Sequence, residues 1–135
     1  MSDPFRQENQ QQPNSRKLLA AQKAKEGEEH AAKHVASLGY RIVKRNFVFG
    51  KVGEIDIVAM DGDELVFIEV KTRSDYSFGS PEASINPRKQ AQLKRVARGY
   101  YYVNGIQEQV CRFDAIAVEL IGKKVELRHH KNAFY

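Results

Sequence analysis

Residues 53–73 read "GEIDIVAMDGDELVFIEVKTR": two runs of apolar and β-branched residues joined through Asp61-Gly62-Asp63, with acidic residues inside both runs. An Asp-Gly step between such runs is a strong hairpin signal, so Glu54–Met60 and Leu65–Thr72 are predicted strands. Side chains alternate across a strand, which puts Glu54, Asp56, Val58 and Met60 on one face and Ile55, Ile57 and Ala59 on the other. In the second run Leu65, Phe67, Glu69 and Lys71 share a face. Loop parity decides whether the two charged sets meet, because an even loop brings them together and an odd loop separates them. The favoured two-residue turn gathers Glu54, Asp56, Glu69 and Lys71 near the open end of the hairpin.

Such a gathering is unfavourable by itself. Two carboxylates about 4 Å apart repel by roughly 4 kcal/mol at an effective dielectric near 20, whereas a good cross-strand pair contributes at most about 1 kcal/mol. Lys71 sets one positive charge against the three acids, so either a carboxyl stays protonated or a metal ion enters. Hard oxygen donors suit Mg²⁺ or Mn²⁺, and Mg²⁺ is commonly held by one or two carboxylates together with substrate phosphates. The residue types therefore suit phosphodiester hydrolysis. Asp56 and Glu69 would hold the metal, with Glu54 in support and the Val70 carbonyl a further donor. Lys71, two residues beyond Glu69, would position the attacking water or stabilise charge on the phosphate. A carboxylate and a lysine on an exposed strand also make an ordinary solvated ion pair. The flanking Ile55, Ile57, Val66, Ile68 and Val70 favour catalysis, since they make both strands look interior, where unpaired charge is rare.

The rest of the chain supplies one compact domain around this hairpin. With 135 residues and 41% hydrophobic content there is material for one core. No apolar run reaches the roughly 18 residues of a membrane span, and the first thirty residues carry no apolar secretory segment, so no membrane association and a cytoplasmic location are expected. Cys111 is the single cysteine and is expected to be a small core residue. The net charge of +5 favours polyanionic partners. Residues 1–14, rich in Gln, Asn and Pro, are expected to be a disordered tail, leaving 15–135 as the domain.

Ser15 is a candidate cap for a helix to about Leu38, with Ala21, Ala24, Ala31, Val35 and Leu38 at mostly helical spacing and Gly39 as its stop. Tyr40–Phe49 is a predicted strand, "FGSPEASINP" a loop, and Asn86-Pro87 the start of a second helix that runs through Val103. Cys111–Leu120 and Lys124–His129 complete the order αβββαββ, an α/β arrangement in which helices cover an open sheet.

The pieces "GEEHAAKHVASLGYRIVKRNF", "GEIDIVA", "VFIEVKTR", "FGSPEASINPRK" and "CRFDAIAV" together resemble the YraN family of small bacterial proteins, from about Gly27 to the C-terminus. That family belongs to the PD-(D/E)xK nuclease superfamily and is similar to archaeal Holliday junction resolvases. The resemblance implies a restriction-endonuclease-like mixed sheet flanked by helices, with the motif aspartate on one hairpin strand and ExK on the next. By position, Asp56 looks like that aspartate, Glu69 and Lys71 like the ExK pair, Glu28 like the acid supplied by the first helix, and Glu54 matches the family's "GEID". Ile55 stands where the superfamily name has Pro.

Other residues divide between partners and plain surface. Glu28 has a bland alternative as one acid of "EGEE" on a solvated helix face. His30 and His34, four apart, have no third ligand of matching pattern and are expected at the surface, as are His129 and His130. Arg88, Lys89, Lys94, Arg95 and Arg98 on the second helix suit phosphate contacts, or simply a wet basic face. Lys89 falls on the family's "RK" position and is the first choice among them; Arg73 continues the ExK strand toward a phosphate. Tyr100, Tyr101 and Tyr102 can stack on bases, although helical spacing packs at least one against the sheet. "RFDAIAV" is expected to be a buried strand with Arg112 and Asp114 facing outward. Taken together the expectation is a Mg²⁺-dependent (or Mn²⁺-dependent) nuclease-like domain acting on DNA, branched or structured DNA included. The runner-up is a nucleic-acid-binding module with the same fold and little or no cleavage, and third comes a protein-interaction domain with an acidic face. Resolvase-like cutting needs two sites, which makes a homodimer a candidate assembly.

Overall fold

The computed structural model describes residues 15–74 and 79–134; the expected tail at 1–14 lies outside them. The elements follow the order αβββαββ: α1 (Ser15–Ser37), β1 (Arg41–Phe49), β2 (Gly53–Asp61), β3 (Glu64–Arg73), α2 (Pro87–Val103), β4 (Cys111–Ile121) and β5 (Lys124–Phe134). The five strands form one open mixed sheet in sequence order. All neighbours are antiparallel except β3 and β4, and that parallel pair needs a crossover, which α2 supplies.

Helix α1 covers one face of the sheet, packing Ala31, Ala32 and Val35 onto Ile57, Ala59, Val66, Ile68, Val70, Ile116 and Val118. Helix α2 covers the other, packing Leu93, Val96 and Ala97 onto Ile55, Val58, Phe67 and Phe113. The start of α2 is as expected: Asn86 Oδ1 accepts from the Lys89 N–H at 2.9 Å, and Pro87, which has no N–H to satisfy, opens the first turn.

The hairpin turn is Gly62-Asp63, bounded by the pair Asp61–Glu64, with Gly62 at φ 58°. This is the even loop, and its register puts Asp56 one step beyond the last paired residues, Ile57 and Ile68, facing Glu69. Past that step the strands part: β2 continues along β1 to Gly53, and β3 continues along β4 to Arg73. The sheet therefore forks at Asp56.

Four expectations are corrected here. Ile55 and Ile57 do not share a face, because Ile55 packs with Phe67 under α2 and Ile57 under α1. Asn46 lies between the partners of these two residues and takes a left-handed φ of 54°, so both strands turn over at Asp56. The buried stripe of α1 is shorter than its sequence pattern, starting only at Gly27 and leaving Ala21, Ala24 and Leu38 exposed. The fifth strand runs on from His129 to Phe134, because Asn132 bends it at φ 52° and Phe134 stacks on Phe113 at 4.9 Å. Residues 81–84 within the expected loop form a short 3₁₀ turn, Pro81–Ser84.

Candidate active site at the sheet fork

The fork sets Asp56 between the two helical layers. Its Oδ2 accepts the Val70 backbone N–H at 2.7 Å, satisfying a donor that the parting of the strands releases. Glu28 reaches Asp56 from α1 and Glu69 reaches it from β3, each through a side-chain hydrogen bond. A hydrogen bond between carboxyl groups needs a proton, and burial supplies the reason to keep one. Burial, then the bond to Asp56 and its charge, push Glu69 up to about 8. Glu28 is pushed up to about 7 by burial and then by Asp56 and Glu54, against the pull of Arg45.

Glu28 arrives there because α1 lies unusually close to β3. A Cβ added at Gly27 would stand 1.8 Å from Thr72 Oγ1 and 2.8 Å from its Cβ, so only glycine permits the approach. From the opposite layer Lys89 places Nζ 3.5 Å from Glu69 Oε2. That oxygen is buried and has no hydrogen-bond partner; the lysine stands at ion-pair distance only. Lys71 contributes a further positive charge beside Glu69.

The structure thus brings Glu28, Asp56, Glu69, Lys71 and Lys89 together. It leaves Glu54 exposed at the rim, acting on Glu28 through its charge alone, because β2 turns over before reaching it. Arg88 and Arg95 line a cleft with Lys89, Ser84, Asn86 and Gln92, whereas Lys94 and Arg98 line a different one beside Tyr101. Arg73 ends β3 opposite Glu119. Of the tyrosines, Tyr100 packs edge-on to Phe47 and Phe67, Tyr101 lies against Phe67 and donates to the Gln109 carbonyl, and Tyr102 remains 84% exposed.

As donors, three carboxylates, one of which has an orphaned buried oxygen, suit a hard divalent cation. Among the described residues, however, no three His, Cys, Asp or Glu side chains are spaced to hold a metal ion. A cation would take the place of the protons that burial keeps on Glu28 and Glu69.

A second charged cluster was misread from the sequence. Asp114 is 0% exposed, not outward-facing, and accepts from Arg112 Nε at 3.0 Å and from the Asn132 N–H at 3.0 Å, with His129 Nε2 at 2.8 Å. Arg112 also reaches Asp61 at 2.9 Å, Glu64 at 2.6 Å and the Tyr40 hydroxyl at 2.6 Å. His129, expected in solvent, is buried with its Nδ1 3.1 Å from His34 Nε2. The β4–β5 register shift beside Asp114 and the bend at Asn132 close this cage, and neither has a spacing signature. His130 keeps an exposed ring but is paired, its Nε2 2.9 Å from Glu82.

Fold and site define an open α/β domain, helices on both faces, with a partly buried acidic cluster where its sheet forks. Among the described residues no helix is long and apolar enough to cross a membrane. The model of the Uncharacterised protein family UPF0102 matches residues 27–118, and the chain belongs to that family. It is 44% identical to a UPF0102 protein of Alkaliphilus oremlandii over 80% of this chain and 93% of the relative. It is 45% identical to one of Chlorobaculum tepidum over 81% and 88%, and 49% identical to one of Moorella thermoacetica over 70% and 78%. The match begins at Gly27, the residue that seats α1, and spans Glu28, Asp56, Glu69, Lys71 and Lys89.

Proposed function

We propose that this chain hydrolyses phosphodiester bonds of DNA, branched or structured DNA included, with Mg²⁺ or Mn²⁺ at the fork. The observation that carries the reading is the buried Glu69 oxygen without a hydrogen-bond partner, held beside the carboxyl of Asp56 and two lysines. A structural cluster would be neutral and fully paired. This one keeps a buried carboxyl oxygen open to a ligand.

Asp56, Glu69 and Glu28 would hold the metal, which when bound supplies charge to polarise the phosphate and to acidify a water. The chain's own groups do the rest. Lys89 and Lys71 draw the scissile phosphate against Glu69, and Arg88 and Arg95 steady the flanking phosphates from the cleft on α2. The two helical layers exclude bulk water from Glu69, which strengthens each of these attractions. In the reaction the water oxygen bonds to phosphorus, one P–O ester bond breaks, and the water's proton passes by way of a site carboxylate to the departing alkoxide.

The test is cleavage of linear, flapped and four-way DNA with and without Mg²⁺ or Mn²⁺. Asp56→Ala is expected to reduce metal-dependent cutting by at least about 10³-fold while DNA binding at low salt survives. If wild-type protein binds these substrates but cuts none, the chain is a nucleic-acid-binding module. Absence of any low-salt DNA affinity overturns both readings.

A further inference from the structure

Beside the fork, on the α2 side, lies a cavity that the hydrolysis itself does not use. It has a volume of about 540 Å³ and is lined by Ile85, Ala115, Ala133 and Phe134, with Gln90, His130, Lys131 and Glu82 at its polar edge. Three observations tie it to the fork. Ala115 is the register partner of Glu69 on the adjoining strand, so their backbones lie about 5 Å apart. Lys89, which faces Glu69, is the chain neighbour of Gln90, which lines the cavity. The 3₁₀ turn that carries Glu82 leads directly into α2.

The chemistry of the lining selects a ligand. Glu82 is gripped by Arg128, Nε at 2.7 Å from Oε2 and Nη2 at 2.9 Å from Oε1, with His130 Nε2 2.9 Å from Oε2. Arg128 is itself anchored to Glu119 at 2.8 Å. Those bonds fix the carboxylate, and they push its pKa down to about 2, so it stays anionic. A fixed anion repels phosphate, yet Oε1 has a lone pair left for a donor. Small and flat walls with one rigid acceptor suit a planar heterocycle that carries an N–H₂ group.

Resting on the hydrolytic reading above, we propose that this cavity receives an unstacked nucleobase with an exocyclic amino group, while the phosphate of the same nucleotide rests on Lys89. Adenine, cytosine and guanine present such a donor to Glu82. Thymine offers only its N3–H, flanked by O2 and O4, which are set against the same carboxylate, and is disfavoured. The cavity would thus give the site a base preference beside the scissile phosphate and a preference for strands whose bases are already unstacked.

Titration of the full chain with dAMP, dCMP, dTMP and deoxyribose 5-phosphate in Mg²⁺, followed by calorimetry or NMR, tests this. dAMP and dCMP are expected to bind about tenfold more tightly than dTMP or the sugar phosphate, within the discrimination a good base contact supplies. Ala133→Trp, made at an exposed rim position, fills the cavity and should bring dAMP down to the affinity of deoxyribose 5-phosphate. Glu82→Gln should erase the difference between dCMP and dTMP. Equal affinity for all four probes, in a protein that cuts or binds DNA, overturns the base site and leaves the hydrolytic reading intact. If the protein neither cuts nor binds DNA, both fall together.

Discussion

Glu69 and Asp114 are the two buried acids of the sheet, and they stand on adjoining strands one register step apart, since Asp114 lies opposite Ile68. Glu69 points toward α2 and Asp114 toward α1, and their surroundings are opposites. Asp114 is surrounded by donors from Arg112, His129 and the Asn132 N–H. Its carboxyl is held below the usual range, because those bonds outweigh its burial. Glu69 faces the carboxyl of Asp56, keeps an oxygen unpaired and is pushed up to about 8 by its burial. On the proposed function, the contrast separates a charge retained for architecture from one retained for chemistry. A caged ion ties the residue that leads into β1, the hairpin turn and β5 together, whereas one left unpaired weakens the fold once ionised.

The strongest way to test the contrast is to remove each acid and measure opposite signs. Asp114→Ala leaves Arg112 and His129 buried without their anion, and breaking a buried pair of this kind costs about 3–5 kcal/mol, a large share of a typical domain's stability. Urea denaturation should show the midpoint collapsing, with Arg112→Ala giving a similar loss through Asp61, Glu64 and Tyr40. A loss below 1 kcal/mol would make the cage a mere surface network.

Glu69→Gln should act the other way. The folded pKa of about 8 lies above the ordinary 4.5, so the folded state retains a proton that the unfolded chain has released. That contribution to stability is fully present below about pH 4.5 and is lost as pH rises through about 8. Wild-type protein without divalent ions should therefore weaken from pH 5 to pH 9. Glu69→Gln should flatten that slope and be the more stable protein at pH 9, by on the order of 2–4 kcal/mol. Mg²⁺ at pH 8 should restore the wild type, by about 2.7 kcal/mol at a hundredfold excess over Kd, and do little for the variant. Parallel pH profiles would show that Glu69 is not the frustrated group.

How much of this was legible follows from which links are local. The Gly62-Asp63 turn and strict alternation along β3 were enough to bring Asp56 to Glu69, and Asn86-Pro87 marked the start of α2. The motif pieces named Glu28, but only the packing shows why it arrives: Gly27 lets α1 settle on Thr72. The cage around Asp114 was missed because its partners come from Tyr40, Asp61, Glu64 and His129, far apart along the chain and bound to no fixed spacing. Within β4 alone, Arg112 and Asp114 are indistinguishable from solvent-facing alternation. Glu54 failed for a different reason, since the left-handed Asn46 on the neighbouring strand ends the alternation on which its placement relied.

Gly27→Ala probes the seat of α1 and should have a moderate effect. The new methyl would meet Thr72 at Oγ1, Cβ and Cγ2 together, so rotating that side chain does not relieve the clash and the helix must lift. Overpacking of this kind costs about 1–3 kcal/mol. The lift should also withdraw Glu28 from Asp56, so metal-dependent protection at pH 8 should weaken more than the loss of stability accounts for. Gly99→Ala is the control, because its methyl would meet the Phe49 ring, away from the fork. Equal loss of metal protection in both would mean that Glu28 is not delivered by the helix seat.

Lys89→Ala is the gentlest perturbation and the one that discriminates most finely between the two acids. Lys89 is partly exposed, and its 3.5 Å ion pair with Glu69 is long, so stability should change by less than about 1 kcal/mol. Removing it takes away a positive charge that lowers Glu69, so its pKa rises further and the loss of stability described above should extend to higher pH, while nothing changes around Asp114. If Lys89 also contacts phosphate, DNA affinity should fall about equally for all sequences. The slope of log K against log salt should then shrink by about 0.9 for duplex DNA. A changed pH profile with an unchanged salt slope would confine Lys89 to tuning Glu69 and pass the phosphate contact to Arg88 and Arg95.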